Sequence, residues 1–591
     1  MTLSADAYAE LLDGLDHPHT GFIVNSLRVG FSTTATPPPV TRHGTWDAPD
    51  LSDHMAARVI AHEQSLNSTA VANDWLAAGV PLRFCPLYAV LKSSGTAKRL
   101  VQDLATGDQP LNSCTNPNVL PPVRLAKVSR VCDNVLQHQQ ADPDAPVHLL
   151  RVDLADAYRH CPLALNNRWQ IAHRLHDGTI LANNALGLGL DTACTSMSAL
   201  SCAVEDVNSM RHHLATPVYV DDTILAAHAH VLPAIRDHVI AQYERLGWRV
   251  HRGKLEEDGP PSTSKVILGL QVDTAARTVA IPPPKLASIL NDLKQWRAGD
   301  GRRLTHRRAR QLAGTLSWCA TTLPLARPFL TPLFEYGYTP VVPRPGVHSD
   351  HHPRGPPSDV LAAIDFWLAV LPHYNGTSSF SPVPEDNTVH VHTDASGQGW
   401  GLICGATGEY SHGRWSHLER RVYTTTHWES LAAVGAAITF GPRVPGGAVT
   451  IHTDSTSTLY TFSRHRCHDT RLRDLLRAAC LLQIHGRFRM QLVYQEGRTN
   501  VHADWLSRHK TFPHHLWPSS APTPQRLPAT WRPRPSSTAT PSSQRLQNSP
   551  SSPSQDPAKA TLQHCVTGLG TVHLWAVPPS TRLPLTLSRT Q

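Results

Sequence analysis

"TPVYVDDTILAAH", residues 216–228, sets two adjacent carboxylates, Asp221 and Asp222, between two short apolar runs. Runs of this length around a two-residue break read as a β-hairpin. A turn alone would be made with less self-repulsion by Asn-Gly or Asp-Gly. The acid pair therefore asks for a cation, and the rest of the chain decides which one.

Upstream, "VHLLRVDLADAYRHCPL" starts at Val147, and its apolar run ends at Asp153, as a buried strand delivers a side chain to its C-terminal edge. Asp153 lies 68 residues before Asp221, yet a strand beside the hairpin would bring all three acids to one point. Such a trio repels itself unless a divalent cation sits in it. Two Mg²⁺ (or Mn²⁺) ions about 4 Å apart would activate a 3′-hydroxyl and stabilise a leaving pyrophosphate in an in-line phosphoryl transfer. The plain alternative for an Asp-Asp pair is a solvated loop.

The whole chain sets bounds on these readings. Its 591 residues leave room for about four domains, so several activities can coexist. Net charge is +8 and the pI is near 9.0, with mostly arginine as the basic residue. Arginine suits bidentate phosphate recognition and an anionic polymer as partner. Eleven cysteines without a C-x-x-C pair signal neither a zinc knuckle nor a secreted disulfide framework. The N-terminus "MTLSADAYAELLDG" has no basic segment leading into an apolar run, and "VLAAIDFWLAVL" is too short to span a bilayer and carries Asp365. A soluble, intracellular protein in a reducing compartment, cytoplasmic or nuclear, with no membrane partner, is expected. "HSDHHP" at 348–353 reads as polar linker, since its histidines are not spaced on ordered elements.

Along the chain, residues 1–75 read as a loosely packed N-terminal extension broken by "TATPPPVTRHG", and 76–280 as an α/β body. Residues 281–345 follow with two packed helices: Leu286, Ile289, Leu290 and Leu293 share one face, as do Leu312, Leu316 and Cys319. A connection or linker covers 346–385, and a second α/β unit covers 386–510. The Pro/Ser-rich stretch 511–591 is expected to be disordered, for want of apolar surface to bury. The fold class is thus α/β, multidomain.

Several stretches of the body, in order, resemble reverse transcriptases. Tyr219-Val220-Asp221-Asp222 matches the Y-x-D-D hairpin of that family, and "DLADAY" matches its first catalytic strand. The resemblance implies a right-hand polymerase of fingers and palm (76–280) and thumb (281–345). It places Tyr158 as an aromatic gate against a 2′-hydroxyl. "LKSSGTAKRLVQDL" resembles the fingers hairpin, which makes Lys92 and Arg99, or Lys98 in its stead, candidates for gripping the incoming triphosphate. "LGLGLDTACTS" resembles the template-positioning motif with Gly189 at its glycine. It departs from the family in having Gly187 where proline is usual and Leu188 in place of a Gln or Phe. "LGWRVHRGKLEE" and "VILGLQVD" resemble the later palm motif and primer grip, with Lys254 and Gly269 in place. Arg307, Arg308 and Arg310 either meet duplex phosphates or form a solvated charged face.

A second set of acids lies in the later unit. "TVHVHTDASGQGWGLICG" alternates as a strand into Asp394, Glu429 sits in the helical "THWESLAAVGAAI", Asp454 ends "AVTIHTD", and Asp504 sits in "GRTNVHADWLSR". Taken singly, Asp454 could be a turn or cap and Asp504 a surface acid. Together they resemble the RNase H fold and its two-metal carboxylate set, which implies hydrolysis of RNA in an RNA–DNA hybrid. The histidine common before the last acid in that family is replaced near Tyr494 and Gln495. The combined order resembles a retroelement polymerase, with features similar to DIRS-type retrotransposons and, beyond them, gypsy-like elements and pararetroviruses. The implied partners are template RNA, a primer, RNA–DNA hybrid and dNTPs. The alternative is an inactive or domesticated nucleic-acid-binding remnant, and nothing in the sequence sets an oligomeric state.

Overall fold

The computed structural model describes residues 3–37, 60–62, 64–91, 98–105, 109–175, 178–298, 304–339, 356–374 and 376–528. The chain divides into two compact units between Thr278 and Val279. Both mix helices and sheets.

In the first unit, α1 (Ala5–Leu12) precedes a hairpin of β1 (Leu87–Leu91) and β2 (Lys98–Gln102). Helix α2 (Val128–Ala141) leads to β3 (Val147–Asp153), where the alternation seen in the sequence places Val147, Leu149, Leu150, Val152 and Asp153 in the buried interior. Helix α3 (Asp191–His212) is buried along most of its length. It feeds the short β4 (Val218–Tyr219) and the long β5 (Asp222–His228). Strand β5 is antiparallel to both β3 and β4 and so forms the middle of a three-stranded sheet. Helices α4 (Leu232–Arg245) and α5 (Arg252–Glu257) complete the body. Val152, Leu225, Val204, Val239 and Tyr243 share one apolar cluster, which ties strands to helices.

The N-terminal residues correct the expected loose extension. Tyr8, Leu12, Ile23 and Phe31 are fully buried in the same cluster. Trp248 Nε1 donates to Tyr8 Oη at 2.8 Å, and Ser4 N donates to Leu246 O at 3.0 Å. The physical reason is that Tyr8 and Leu12 recur at i and i+4, an apolar stripe that needs a partner surface. The body supplies it. The proline-broken connector lies mainly outside the described residues.

The second unit opens with α6 (Pro283–Arg297) and α7 (His306–Cys319), whose buried residues include Leu286, Ile289 and Leu293, then Leu312, Leu316 and Cys319, as the sequence spacing predicts. Leu290 is only half-buried. Helices α8 (Thr331–Tyr338) and α9 (Ser358–Tyr374) follow, with Phe329 stacked on Phe366 and Arg297 Nε 2.6 Å from Asp365. Next comes a six-stranded sheet made of β6 (Thr388–Ala395), β7 (Gly399–Ile403), β8 (Glu409–Arg414), β9 (Ala448–Thr453), β10 (Arg489–Tyr494) and β11 (Gln525–Arg526). Their order is β10-β9-β6-β7-β8-β11. The first three strands run β6 to β8 antiparallel, whereas β9 joins β6 in parallel, as does β10 with β9.

Helix α10 (Thr425–Phe440), α11 (Thr456–Arg464) and α12 (Thr470–Gly486) lie between strands in sequence, and α13 (Val501–Arg508) follows β10. Neighbouring Leu402 and Ile403 on β7 enter different apolar clusters, one with α10 and one with Ala503 and Leu506 of α13. The sheet is therefore covered on both faces.

The expected disorder from residue 511 is also corrected in part. Residues 511–528 pack on this unit: Phe512 is buried, and β11 pairs in parallel with β8 through Gln525 N to Gly408 O at 3.1 Å. The edge of β8 needs backbone partners, and Phe512 and Trp517 bring the apolar area that makes the pairing stable. Residues 529–591 lie outside the described residues, as does "HSDHHP". Among the described residues, no helix is long and apolar enough to cross a membrane.

Candidate active sites

The opening hairpin is built by register. Asp153, last residue of β3, pairs directly with Asp222, first residue of β5, while Tyr219 on β4 also pairs with Asp222. Val220 and Asp221 make the two-residue turn. Val220 holds φ = 57°, left-handed for a β-branched residue, a conformation that costs on the order of 1–3 kcal/mol and persists only where surroundings enforce it. Val220 is itself buried, and Glu205 braces the hairpin by accepting from Val218 N at 3.2 Å. Glu205 is almost wholly buried and paired with Arg130 and Arg124.

Sequence therefore brings Asp153, Asp221 and Asp222 to one sheet end, but not as bare anions. Lys254 Nζ sits 2.6 Å from Asp153 Oδ1. Arg151, two residues before Asp153 on β3, holds Asp258 at 2.8 and 2.9 Å, with its Nε 3.9 Å from Asp222 Oδ1. Burial first, then the nearby Asp221 and Asp153, push the Asp222 carboxyl up to about 7 against the opposing pull of Arg151. Asp153 Oδ2 and Asp222 Oδ1 are buried without a hydrogen-bond partner. Oxygen-only donors with orphaned lone pairs fit a hard divalent cation.

Around this trio, Tyr158 lies on the short turn Ala157–His160, just after Asp156 at φ = 51°. It is half-buried, and burial, with the Cys194 thiol and then Asp221 beside it, pushes its hydroxyl's pKa up. Gly189 has φ = 115°, and a Cβ there would lie 2.0 Å from Gln102 O; Gln102 N in turn donates to Leu188 O at 3.0 Å. At Gly187 the Gln102 side-chain amide packs close, where a Cβ would lie 2.0 Å from its Oε1. Gln102 Nε2 bonds Asn183 Oδ1 at 2.9 Å and His173 Nε2 at 3.1 Å, so this buried amide fills the space behind the loop. Arg99 lies on β2 opposite Val90. Lys92 lies outside the described residues. Arg308 and Arg310 lie over the rings of Trp296 and Tyr338, and Arg310 Nη1 also donates to Gly337 O, so these two are engaged within the unit.

The second acid set closes more tightly. Among the described residues, Asp394, Glu429 and Asp454 each bring a carboxylate oxygen within 4.8 Å of the others'. Asp394 is the penultimate residue of β6, Glu429 lies on α10, and Asp454 follows β9. Glu429 Oε1 accepts from Ala395 N at 3.0 Å, which pins the helix acid to the strand. Burial, reinforced by neighbouring acids, pushes Glu429 up to about 9 and Asp394 up to about 6. Asp394 Oδ2 and Glu429 Oε2 are buried without hydrogen-bond partners, so this donor set also fits a divalent ion. Gly497 abuts the site: a Cβ there would lie 2.7 Å from Asp454 Oδ2. The fourth expected acid stays outside the trio. Asp504 Oδ1 accepts from Arg508 Nε at 2.8 Å and Nη2 at 2.6 Å, one turn along α13.

Sequence reasoning missed Arg151, Glu205, Gln102 and Arg508. Arg151 had a signal, since i and i+2 share a strand face. Arg508 had one too, at i+4 from Asp504.

No protein-family model matches the chain, and no curated protein does. Among solved structures, it is similar to a foamy viral protease-reverse transcriptase bound to double-stranded DNA, at 12% identity and a TM-score of 0.43, covering 83% of this chain and 81% of that one. It is similar also to the foamy viral protease-reverse transcriptase in complex with RNA/DNA hybrid, at 13% identity and a TM-score of 0.44, covering 84% of this chain and 64% of that one.

Proposed function

We propose that the chain is an RNA-directed DNA polymerase of a retrotransposon, intracellular, that also hydrolyses RNA in RNA–DNA hybrids. The observation that carries this reading is the register of Asp153 against Asp222 with Asp221 at the adjoining turn. In this reading the first unit supplies fingers and palm, α6–α8 supply the thumb, and the sheet from β6 onward with its helices is the RNase H domain.

Asp153, Asp221 and Asp222 would hold Mg²⁺ or Mn²⁺ in the first site, and Asp394, Glu429, Asp454 and Asp504 would do so in the second. When bound, two such ions supply Lewis-acid activation of the attacking oxygen and neutralise charge on the leaving one. The chain's own groups do the rest. Val220, strained in its turn, sets the backbone that carries Asp221. Tyr158, whose hydroxyl feels the charge of Asp221, would wall off one side of the trio, where an aromatic ring excludes a ribose 2′-hydroxyl. Gly189 lets the loop before α3 lie flat on the Gln102 backbone, and a template strand could lie along that loop. Lys254 places positive charge against Asp153, close to where a triphosphate would sit, and Arg99 lies on a strand suited to the same role.

A second reading, a nucleic-acid-binding remnant, is favoured by one observation: Lys254 and Arg151 already neutralise part of the first acid set. Incubating the full chain with a DNA primer on an RNA template, dNTPs and Mg²⁺ separates the two. Extended primer supports the polymerase; tight hybrid binding with neither extension nor RNA cleavage supports the remnant and sinks the polymerase.

A further inference from the structure

The fourth acid of the second site, close enough for its charge to act on Asp394 and Glu429, has one carboxylate oxygen engaged by a cation that the same helix provides. We propose that Arg508 is the built-in counter-ion of Asp504 and sets how tightly a second divalent ion is held at this site; the inference rests on the metal-binding reading of the cluster.

Helix α13 is packed tightly against the sheet, which opposes a bodily shift of Asp504 inward. Gly401 on β7 lies directly beneath it, so close that a Cβ there would meet Leu506 Cβ at 2.5 Å and Ala503 O at 2.7 Å. The carbonyl of Ser507 accepts from Ser396 Oγ at 3.0 Å and Arg414 Nη1 at 2.9 Å, and that of Arg508 accepts from Arg414 Nη2 at 2.8 Å. The last turn of the helix is tied at Ser507 and Arg508, so rotation of the Asp504 side chain is the small motion that would bring its carboxylate to Asp394, Glu429 and Asp454. That rotation breaks both bonds from Arg508 to Asp504 Oδ1. The pair is half-exposed, with side chains 54% and 40% accessible, so it is weak enough for an incoming ion to displace. It also repels that ion, because the guanidinium carries charge of the same sign beside three acids. Two effects thus act in one direction: Arg508 occupies a ligand and opposes the ion.

The consequence is two unequal ion-binding steps. The first ion meets Asp394, Glu429 and Asp454 already gathered; the second must win Asp504 from Arg508. Replacing Arg508 with a neutral side chain tightens the second step roughly three- to ten-fold and leaves the first near its original strength.

The test is Mn²⁺ titration of the full chain followed by electron paramagnetic resonance of free Mn²⁺. All proteins carry Asp153→Asn and Asp221→Asn, so that ions bound by the first acid set do not count. The comparison is between Arg508 retained, Arg508→Gln, Arg508→Lys and, separately, Asp394→Asn and Asp504→Asn. Expected is a weaker class that tightens in Arg508→Gln, stays in Arg508→Lys and disappears in Asp504→Asn. If Mn²⁺ binding depends on Asp394 but Arg508→Gln leaves both classes unchanged or weakens them, the role of Arg508 is overturned. If no binding depends on Asp394, the metal-site reading itself falls.

Discussion

The two acid sets differ in how the protein balances their charge. In the first unit, Asp153 and Asp222 face Lys254 at 2.6 Å and Arg151 at 3.9 Å. In the second, Asp394, Glu429 and Asp454 face one another, and the nearest ion pair belongs to a fourth acid, Asp504 with Arg508. Burial raises Asp222, Asp394 and Glu429, and nearby cations, Arg151 at Asp222 and Arg508 at Asp394, offset part of it. Burial leads at each: it lifts Asp222 to about 7 against the pull of Arg151, Asp394 to about 6, and Glu429, with three acids around it, to about 9. A site with cations of its own is balanced without metal and leaves less for metal to gain. A site of crowded acids is strained until a divalent ion arrives.

The comparison breaks first if the two units are not independent. Gly189→Ala pushes a Cβ onto the Gln102 carbonyl at a φ that L-residues avoid, and should destabilise the first unit by about 3 kcal/mol or more. Primer extension and the first unfolding transition should both suffer, while hybrid cleavage at 25 °C persists; equal loss of both activities would show the sites to be coupled.

Tyr158→Ala tests whether the first site is a nucleotide site at all. Removing the ring should lower discrimination of dNTPs against rNTPs on the order of 100-fold, a loss of about 2.7 kcal/mol of differential binding. Steady-state incorporation of matched dGTP and GTP reads it, and unchanged selectivity would remove Tyr158 from the site. Cleavage in the second unit is the internal control.

The pH dependence sharpens the contrast. A carboxyl whose folded pKa is raised binds a proton that the unfolded chain has lost, so between about pH 4 and 9 the metal-free second unit loses stability as pH rises. Metal needs those protons gone, so its affinity climbs with pH. The first site should gain Mg²⁺ affinity up to about pH 7 and then level off, whereas the second should gain until about pH 9. Mg²⁺-induced shifts in melting temperature at pH 6, 7.5 and 9 measure both, and parallel curves would contradict the account.

Arg151→Leu carries the smallest effect. It removes a partly screened cation near Asp222, and Mg²⁺ should bind the first site roughly two- to five-fold more tightly. Weaker binding would mean that Arg151 organises the acids rather than competing with metal.

The acids were legible because strands announce themselves. The apolar run 147–152 ends at Asp153, and the alternation into Asp394 places that acid at a strand end. What escaped depends on contacts remote in sequence. Trp248 reaches Tyr8 across 240 residues, so an N-terminal stretch that looks separable by composition is part of the core. Gln102 packs its side-chain amide against Gly187 and its backbone against Gly189, contacts no local pattern carries. Lys254, a substrate-binding candidate from its place in the later palm motif, sits 2.6 Å from Asp153 Oδ1, a partner 101 residues away that no local pattern announces. The composition of 511–591 is dominated by Pro and Ser, and it hid the few aromatics that fasten 511–528 to the sheet.

Two separate metal sites in one chain would respond in opposite ways to a reciprocal pair of substitutions. Full-length Asp221→Asn and Asp394→Asn are each given a labelled DNA primer on a labelled RNA template with dNTPs and Mg²⁺. The account predicts that Asp221→Asn loses extension by at least about 100-fold and keeps RNA cleavage, and that Asp394→Asn does the reverse. Loss of both activities in either variant, or of neither in both, would contradict it.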